Sequence, residues 1–170
     1  VDNASTDGSW AVLSNEFPEV HFVRSEKNLG FTGGNNLGLE KVYEISPVYI
    51  LLLNNDTIVS PNLLKELTRF MEENPRVGLS GPLTFYYEAR DIIAFGGGHL
   101  NRNSGIVTFL NKGKKREDLS SPGIFCNFIE GAALFVRTEI MQNIGGLNDL
   151  YFLTSEESEL CVRVADMGYQ

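Results

Sequence analysis

The sequence predicts an α/β domain with a mostly parallel central sheet flanked by helices and a smaller antiparallel β portion. Three observations carry that prediction. The first is the apolar run Tyr49-Ile50-Leu51-Leu52-Leu53, which stops abruptly at Asn54-Asn55-Asp56. A run of that length between turn formers reads as a strand covered on both faces, as in a parallel sheet. The second is the order of elements up to Pro82, which reads βαβαβαβ with connections of helix length. The third is the change of pattern after Pro82, where short strands follow one another without intervening helices.

Taken in order, Asp2-Asn3-Ala4-Ser5-Thr6-Asp7-Gly8-Ser9 is a strand-to-helix turn, and Val1 stands as the last residue of a strand. Asp7-Gly8-Ser9 can cap a helix running to about Glu16, which Pro18 ends. Residues 20–23 alternate as a strand should. Asn28-Leu29-Gly30-Phe31-Thr32-Gly33-Gly34-Asn35-Asn36-Leu37-Gly38 then reads as a glycine-rich loop leading into a helix to about Glu44. Such a loop allows close backbone approach to a ligand, and a helix N-terminus favours anions; a glycine-rich turn with a packing role is the other reading. The dinucleotide fingerprint fits in no register. The phosphate-loop spacing of Gly33 and Gly38 fails because Leu39-Glu40 stands where Lys and Ser or Thr belong.

The polar end of the central strand has two readings. A lone carboxylate flanked by amides suits a hard divalent cation that keeps waters and borrows phosphate oxygens. Alternatively, these residues cap the next helix, which Ser60-Pro61 opens. That helix, residues 61–74, carries Leu63, Leu64, Leu67, Phe70 and Met71 on one face. A short strand begins at Val77. Residues 95–99, 105–109 and 123–129 read as the short strands of an insertion. Glu130-Gly131-Ala132 is a small-residue turn entering an apolar strand to Arg137, after which Thr138 can cap a short helix. Finally, Thr154-Ser155-Glu156-Glu157-Ser158-Glu159 heads a helix with Leu160, Val164 and Met167 on one face. Three carboxylates in four residues exceed what a cap needs. Glu156 and Glu159 share a side of that helix and Glu157 points elsewhere, so one of them can act as a base in a cleft.

Composition narrows the classes of function. The chain has 170 residues and a formal charge of -8, so sequence-independent nucleic-acid binding is not expected. Its main basic cluster, Lys112-Gly113-Lys114-Lys115-Arg116, reads as a solvated loop. Cys126 and Cys161 lack metal-ligand spacing and read as buried reduced thiols, as in a cytoplasmic protein. His21 and His99 lack partners at ligand spacing.

Five segments in this order resemble the family 2 glycosyltransferases, and within them the rhamnosyltransferase-like branch: Val1 to Ser9; Asn28-Leu29-Gly30-Phe31 with Gly33-Gly34-Asn35-Asn36; Leu53-Asn54-Asn55-Asp56; Gly131-Ala132-Ala133-Leu134-Phe135-Val136-Arg137; and Glu156-Glu157-Ser158-Glu159-Leu160-Cys161 with Arg163 and Gly168-Tyr169. The resemblance implies an inverting enzyme of GT-A fold whose residues 1–170 form a single domain, without its first strand and its C-terminal end. It implies a nucleoside-diphosphate sugar donor, rhamnose being the branch's commonest association, and a glycan or lipid-linked acceptor in cell-surface polysaccharide synthesis. By the same resemblance, Asp2, Asn3 and Ser5 hold the base of the nucleotide. Asn28 and the stretch from Gly30 to Asn35 close on nucleotide and ribose, with Asn55 beside them. Asp56 holds Mn²⁺ or Mg²⁺. Glu157 is the general base, where relatives carry Asp, and Glu130, Gly131, Ala132 and Glu156 lie by the sugar and acceptor. Arg163 reads as the i,i+4 ion-pair partner of Glu159. Asn54, where many relatives have Asp, and Glu157 favour an alternative, a nucleotide-sugar-binding domain of weak or no turnover. Further expectations are a place in the cytoplasm at the inner face of the membrane, peripheral membrane association of the full-length protein, and a sheet edge that admits pairing with a second copy.

Overall fold

The computed structural model describes residues 1–121 and 123–170. Its elements are α1 (Ser9–Glu16), α2 (Gly30–Glu44), β1 (Tyr49–Leu53), α3 (Leu63–Glu73), β2 (Leu79–Ser80), β3 (Thr84–Phe85), β4 (Ile93–Phe95), β5 (Gly98–Leu100), β6 (Val107–Phe109), β7 (Ala133–Arg137), α4 (Thr138–Asn143) and α5 (Glu156–Asp166). Among the described residues no helix is long and apolar enough to cross a membrane.

The central sheet has the order β1-β7-β2, with β7 antiparallel to both neighbours. β1 and β2 therefore point the same way, as the sequence predicts. The strand between them does not, because β7 returns from the insertion after β2 instead of from a crossover helix. Parallel pairing survives as the single bridge Asp2–Arg24. Residues 20–23 form no strand of their own among the described residues: the Asp2 N–H donates to the Val23 carbonyl at 2.7 Å, and Phe22 packs edge-on against Trp10. Gln170 bonds on both sides of Val77, its N–H to Arg76 and its carbonyl to the Gly78 N–H.

Helices cover both faces of this sheet. Alternation along a strand sends successive side chains to opposite faces. Ile50, Leu52, Leu134 and Val136 accordingly join Leu39 of α2, Ile140 and Met141 of α4, and Leu160 and Val164 of α5 in one buried cluster. Phe135 faces the other way, onto Leu67 and Met71 of α3 and Val77, with Tyr49 and Leu51 half-buried beside them. Burial along β1 thus alternates, and Leu53 is exposed where the strand leaves the core. Each fully buried large apolar side chain contributes about 1.5–3 kcal/mol, so Met71 and Leu160 are principal anchors for their helices. Leu64 departs from the expected apolar face of α3 and is exposed. Arg137 ties β7 to α3, donating from Nη2 to the Met71 carbonyl at 2.7 Å and from Nε to that of Val77 at 3.0 Å.

The insertion is antiparallel, as expected, but its strands are β3–β4 and β5–β6. Residues 123–129 form no strand among the described residues, apart from one bridge between Phe128 and Gly98. Thr138 is the first residue of α4, not its cap.

Candidate active site

The site is assembled around residues 129–132, which lead into β7. The Asn54 N–H donates to the Ala132 carbonyl at 2.9 Å, carrying the β1–β7 ladder one residue past Leu53. This holds the Asn54-Asn55-Asp56 turn against Gly131 and Ala132. The Thr57 hydroxyl donates to the Asn54 carbonyl at 2.8 Å and closes the turn. The helix-capping reading of these residues does not hold, because α3 begins after Asn62 without a side-chain cap. Asp56 is exposed, and among the described residues its carboxylate makes no hydrogen bond or ion pair. No group of three or more His, Cys, Asp and Glu that could hold a metal is found among them. One free carboxylate beside two amides fits Mn²⁺ or Mg²⁺, ions that take several ligands from water and phosphate.

On the other side of residues 129–132 lies α5. The Ile129 N–H points at the Cys161 sulfur, 3.5 Å away. Cys161 stands one helical turn after Glu157, so the same face of α5 presents Glu157 toward Glu130. Glu157 is half-buried, and its Oε2 atom is buried without a hydrogen-bond partner among the described residues. Burial pushes its carboxyl above the usual range; a bond from its own backbone N–H pulls it back, and the charge of Glu156 pushes it further up. Glu130 is also pushed up by burial, opposed by a hydrogen bond from the Thr84 hydroxyl and reinforced by the charge of Glu157. That bond, from Thr84 Oγ1 to Glu130 Oε1, is 2.7 Å long. Glu156 is 5% exposed, and its Oε2 is likewise unpartnered among the described residues. Burial pushes the Cys161 thiol to about 12, so it stays protonated and acts as a small apolar filler.

Glu159 has a different task. Arg163 Nε lies 2.8 Å from Glu159 Oε1, the i,i+4 pair expected from sequence, while its Nη1 and Nη2 donate to the carbonyls of Ile144 and Gly146. The pair locks α5 onto the turn after α4. Leading into α5, Thr154 and Ser155 are successive non-glycine residues in the left-handed region, at φ 74° and 70°. Ser155 makes no capping bond, and Glu156, Glu157 and Glu159 lie in the first turn of α5, where the helix dipole favours negative charge.

The nucleotide-side residues form a second, self-contained group. Asn3 spends its whole amide on the turn before α2: Nδ2 donates to Asn28 Oδ1 at 3.0 Å and to the Gly30 carbonyl at 2.9 Å, and Oδ1 accepts the Leu29 N–H at 2.8 Å. Asn28 Oδ1 also accepts the Gly30 N–H at 2.9 Å. Asn35 Nδ2 donates to the Phe31 carbonyl within α2. Asp2 Oδ1 accepts the Ser5 N–H at 3.2 Å. Asp2 Oδ2 lies 3.0 Å from Arg24 Nε as an ion pair, but without hydrogen-bond geometry. Arg24 also stacks on Trp10, 5.4 Å from the ring centre.

The glycine-rich stretch departs from expectation. It is not a loop: α2 starts at Gly30. A Cβ at Gly34 would stand 3.3 Å from the Asn3 amide, and one at Gly38 would stand 2.8 Å from Val1. These glycines let residues 1–3 lie directly on the helix, which is the packing role. Gly30, at φ +73°, turns the chain beneath Phe152, whose carbonyl accepts the Phe31 N–H at 2.7 Å. Phe31 in turn faces Gly131. The start of α2, the end of β1, residues 129–132 and the start of α5 are therefore connected, while Asp2, Asn3, Ser5 and Asn28 lie in the turns packed against the start of α2. An apolar cavity of about 320 Å³, lined by Leu79, Phe128, Ile129, Cys161, Val164 and Tyr169 among others, includes none of the site carboxylates.

Sequence reasoning missed Thr84 and Asn36. Asn36 clamps the turn after α4, donating to the Leu147 carbonyl at 2.9 Å and to Asp149 at 2.8 Å, and accepting the Leu147 N–H. Its partners lie 111 to 113 residues away, beyond any local pattern.

Comparison with known proteins places the chain in a family. The chain is 25% identical over 166 residues to the low-salt glycan biosynthesis hexosyltransferase Agl10 of Haloferax volcanii, covering 96% of this chain and 51% of that protein. It is 24% identical over 190 residues to an N-acetylglucosaminyl-diphospho-decaprenol L-rhamnosyltransferase of Mycobacterium tuberculosis, covering 99% of this chain and 60% of that protein. The chain thus spans little more than half the length of these relatives. The model of glycosyl transferase family 2 matches residues 1–143, and with that match the chain belongs to this family and has its α/β GT-A fold.

Proposed function

We propose that this domain transfers a sugar from a nucleoside-diphosphate donor to a hydroxyl of a glycan or lipid-linked acceptor, with inversion at the sugar carbon. The observation that carries the proposal is Glu157. Its half-buried carboxylate has one unpartnered oxygen and is joined through residues 129–132 to the strand end that bears Asp56. A carboxyl raised by burial is a stronger base at neutral pH than an ordinary glutamate.

In the proposed reaction Glu157 accepts the proton of the acceptor hydroxyl. The acceptor oxygen bonds to the anomeric carbon from the face opposite the diphosphate, and the bond from that carbon to the phosphate oxygen breaks with its electron pair leaving on the diphosphate. Glu157 then returns its proton to solvent. Asp56, with Asn54 and Asn55 beside it, would hold Mn²⁺ or Mg²⁺, which neutralises charge on the leaving diphosphate. Asp2 and Ser5 take the nucleotide base, with Asp2 held in place by its ion pair to Arg24. Asn3, Asn28, Gly30 and Asn35 act there by shaping the pocket wall. Glu130, Gly131, Ala132 and Glu156 border the sugar and acceptor. The relatives' names favour a hexose donor such as rhamnose and a polyprenyl-linked acceptor. A second reading, binding without turnover, draws on Asp56 standing as a single carboxylate with Asn54 beside it.

The test is transfer from dTDP-rhamnose, UDP-glucose and GDP-mannose to N-acetylglucosaminyl-diphospho-decaprenol with and without Mn²⁺, the product's anomeric configuration being read by NMR. Transfer with inversion is the expected result. Donor binding without product selects the second reading, and neither binding nor product refutes both.

A further inference from the structure

We infer that Thr84 is a positioning residue for the acceptor, acting through Glu130. The inference rests on the transfer reading above. Thr84 lies on β3, the first strand of the insertion, and is 46 residues from Glu130 in sequence. Its hydroxyl donates to Glu130 Oε1 at 2.7 Å. Burial restricts the carboxyl group, and this bond sets its rotation, leaving Oε2 as the oxygen available to a ligand. The backbone around Glu130 is fixed from both sides: the Ile129 N–H meets Cys161 of α5, and the Ala132 carbonyl accepts the Asn54 N–H. With the backbone held, the side-chain torsions are the remaining freedom, and Thr84 removes it.

Ile129, the residue before Glu130, meets Cys161, one turn after Glu157 on α5, and the charge of Glu157 bears on Glu130, so the two carboxylates lie near one another. There Glu157 takes the proton and Glu130 accepts a hydrogen bond from a second hydroxyl of the acceptor sugar, selecting which hydroxyl faces the base. The insertion thereby gains a role in choosing the acceptor, and β3 is the element through which it does so.

The experiment compares wild type, Thr84→Val, Thr84→Ala and Thr84→Ser in transfer from dTDP-rhamnose to N-acetylglucosaminyl-diphospho-decaprenol. A ¹³C-NMR titration of the Glu130 carboxyl accompanies it. Losing one such bond should raise the acceptor KM roughly three- to tenfold, with kcat little changed, since the base is untouched. Val and Ala should both raise the Glu130 titration midpoint, and Ser should restore both readouts. An acceptor KM and a midpoint that are unmoved in Val and Ala would overturn the inference. A midpoint that rises in a protein whose wild type transfers no sugar would overturn the transfer reading while leaving the Thr84–Glu130 tie standing.

Discussion

The two halves of the site differ in what their polar side chains do. On the proposed nucleotide side, Asn3 engages both ends of its amide with Asn28 and the turn before α2, Asn28 Oδ1 accepts from Asn3 and Gly30, and Asn35 Nδ2 donates to the Phe31 carbonyl. On the proposed acceptor side, Glu156 and Glu157 each keep a buried oxygen without a hydrogen-bond partner among the described residues, whereas Asp2 Oδ2, also without a hydrogen bond, has Arg24 at 3.0 Å. Buried polar groups are normally satisfied, and an orphan costs about 1–3 kcal/mol. The amides therefore maintain shape, whereas the carboxylates are held in a costly state that a substrate hydroxyl can relieve. Non-glycine residues in the left-handed region occur in both halves, Ala4 at φ 65° in one and Thr154 and Ser155 at φ 74° and 70° just before the carboxylates in the other.

The sharpest way to break this comparison is Glu157→Gln. If Glu157 is the base, kcat should fall roughly 10²- to 10⁴-fold while donor affinity is retained, read by initial rates and by calorimetry. Unchanged turnover would move the base to Glu156 or Glu130. Asp56→Ala comes next. It should abolish the Mn²⁺-dependent part of the thermal shift produced by dTDP or UDP, with little change in the melting temperature of the free protein, because Asp56 is exposed and has no partners among the described residues. Asn3→Ala should do the reverse. Losing three hydrogen bonds to the turn before α2 should cost about 1–3 kcal/mol in denaturant unfolding, and donor affinity should fall only as far as the turn loosens.

Much of this was legible in the sequence, for physical reasons. The β1 run, Leu160 and Val164 of α5 and the Glu159–Arg163 pair are local periodic signals that appear where expected; Met167, expected on the same face of α5, lies past the end of the helix and is exposed. The order of the motifs sufficed for the family. The direction of β7 was not legible, because neighbours in a sheet are chosen by tertiary packing and not by a strand's own residues. The glycines between Gly30 and Gly38 read as a loop because glycine disfavours helices; the close approach of residues 1–3, which no local window contains, reverses that preference. The Thr84–Glu130 bond was hidden for the same reason.

The carboxylates also make a statement about pH. Glu157 and Glu130 are both raised by burial in the folded chain, so each contributes stability that is fully present below the ordinary glutamate range and is lost as pH rises through its raised value. The most direct test of the account is the unfolding free energy of wild type and Glu157→Gln between about pH 4 and about pH 8. The variant should be the more stable at neutral pH, with a gap that closes as the solution is acidified, while its transfer rate collapses. A variant that is less stable than wild type throughout, or a gap that does not change with pH, would contradict the claim that this carboxylate is kept at a cost to the fold for the sake of chemistry.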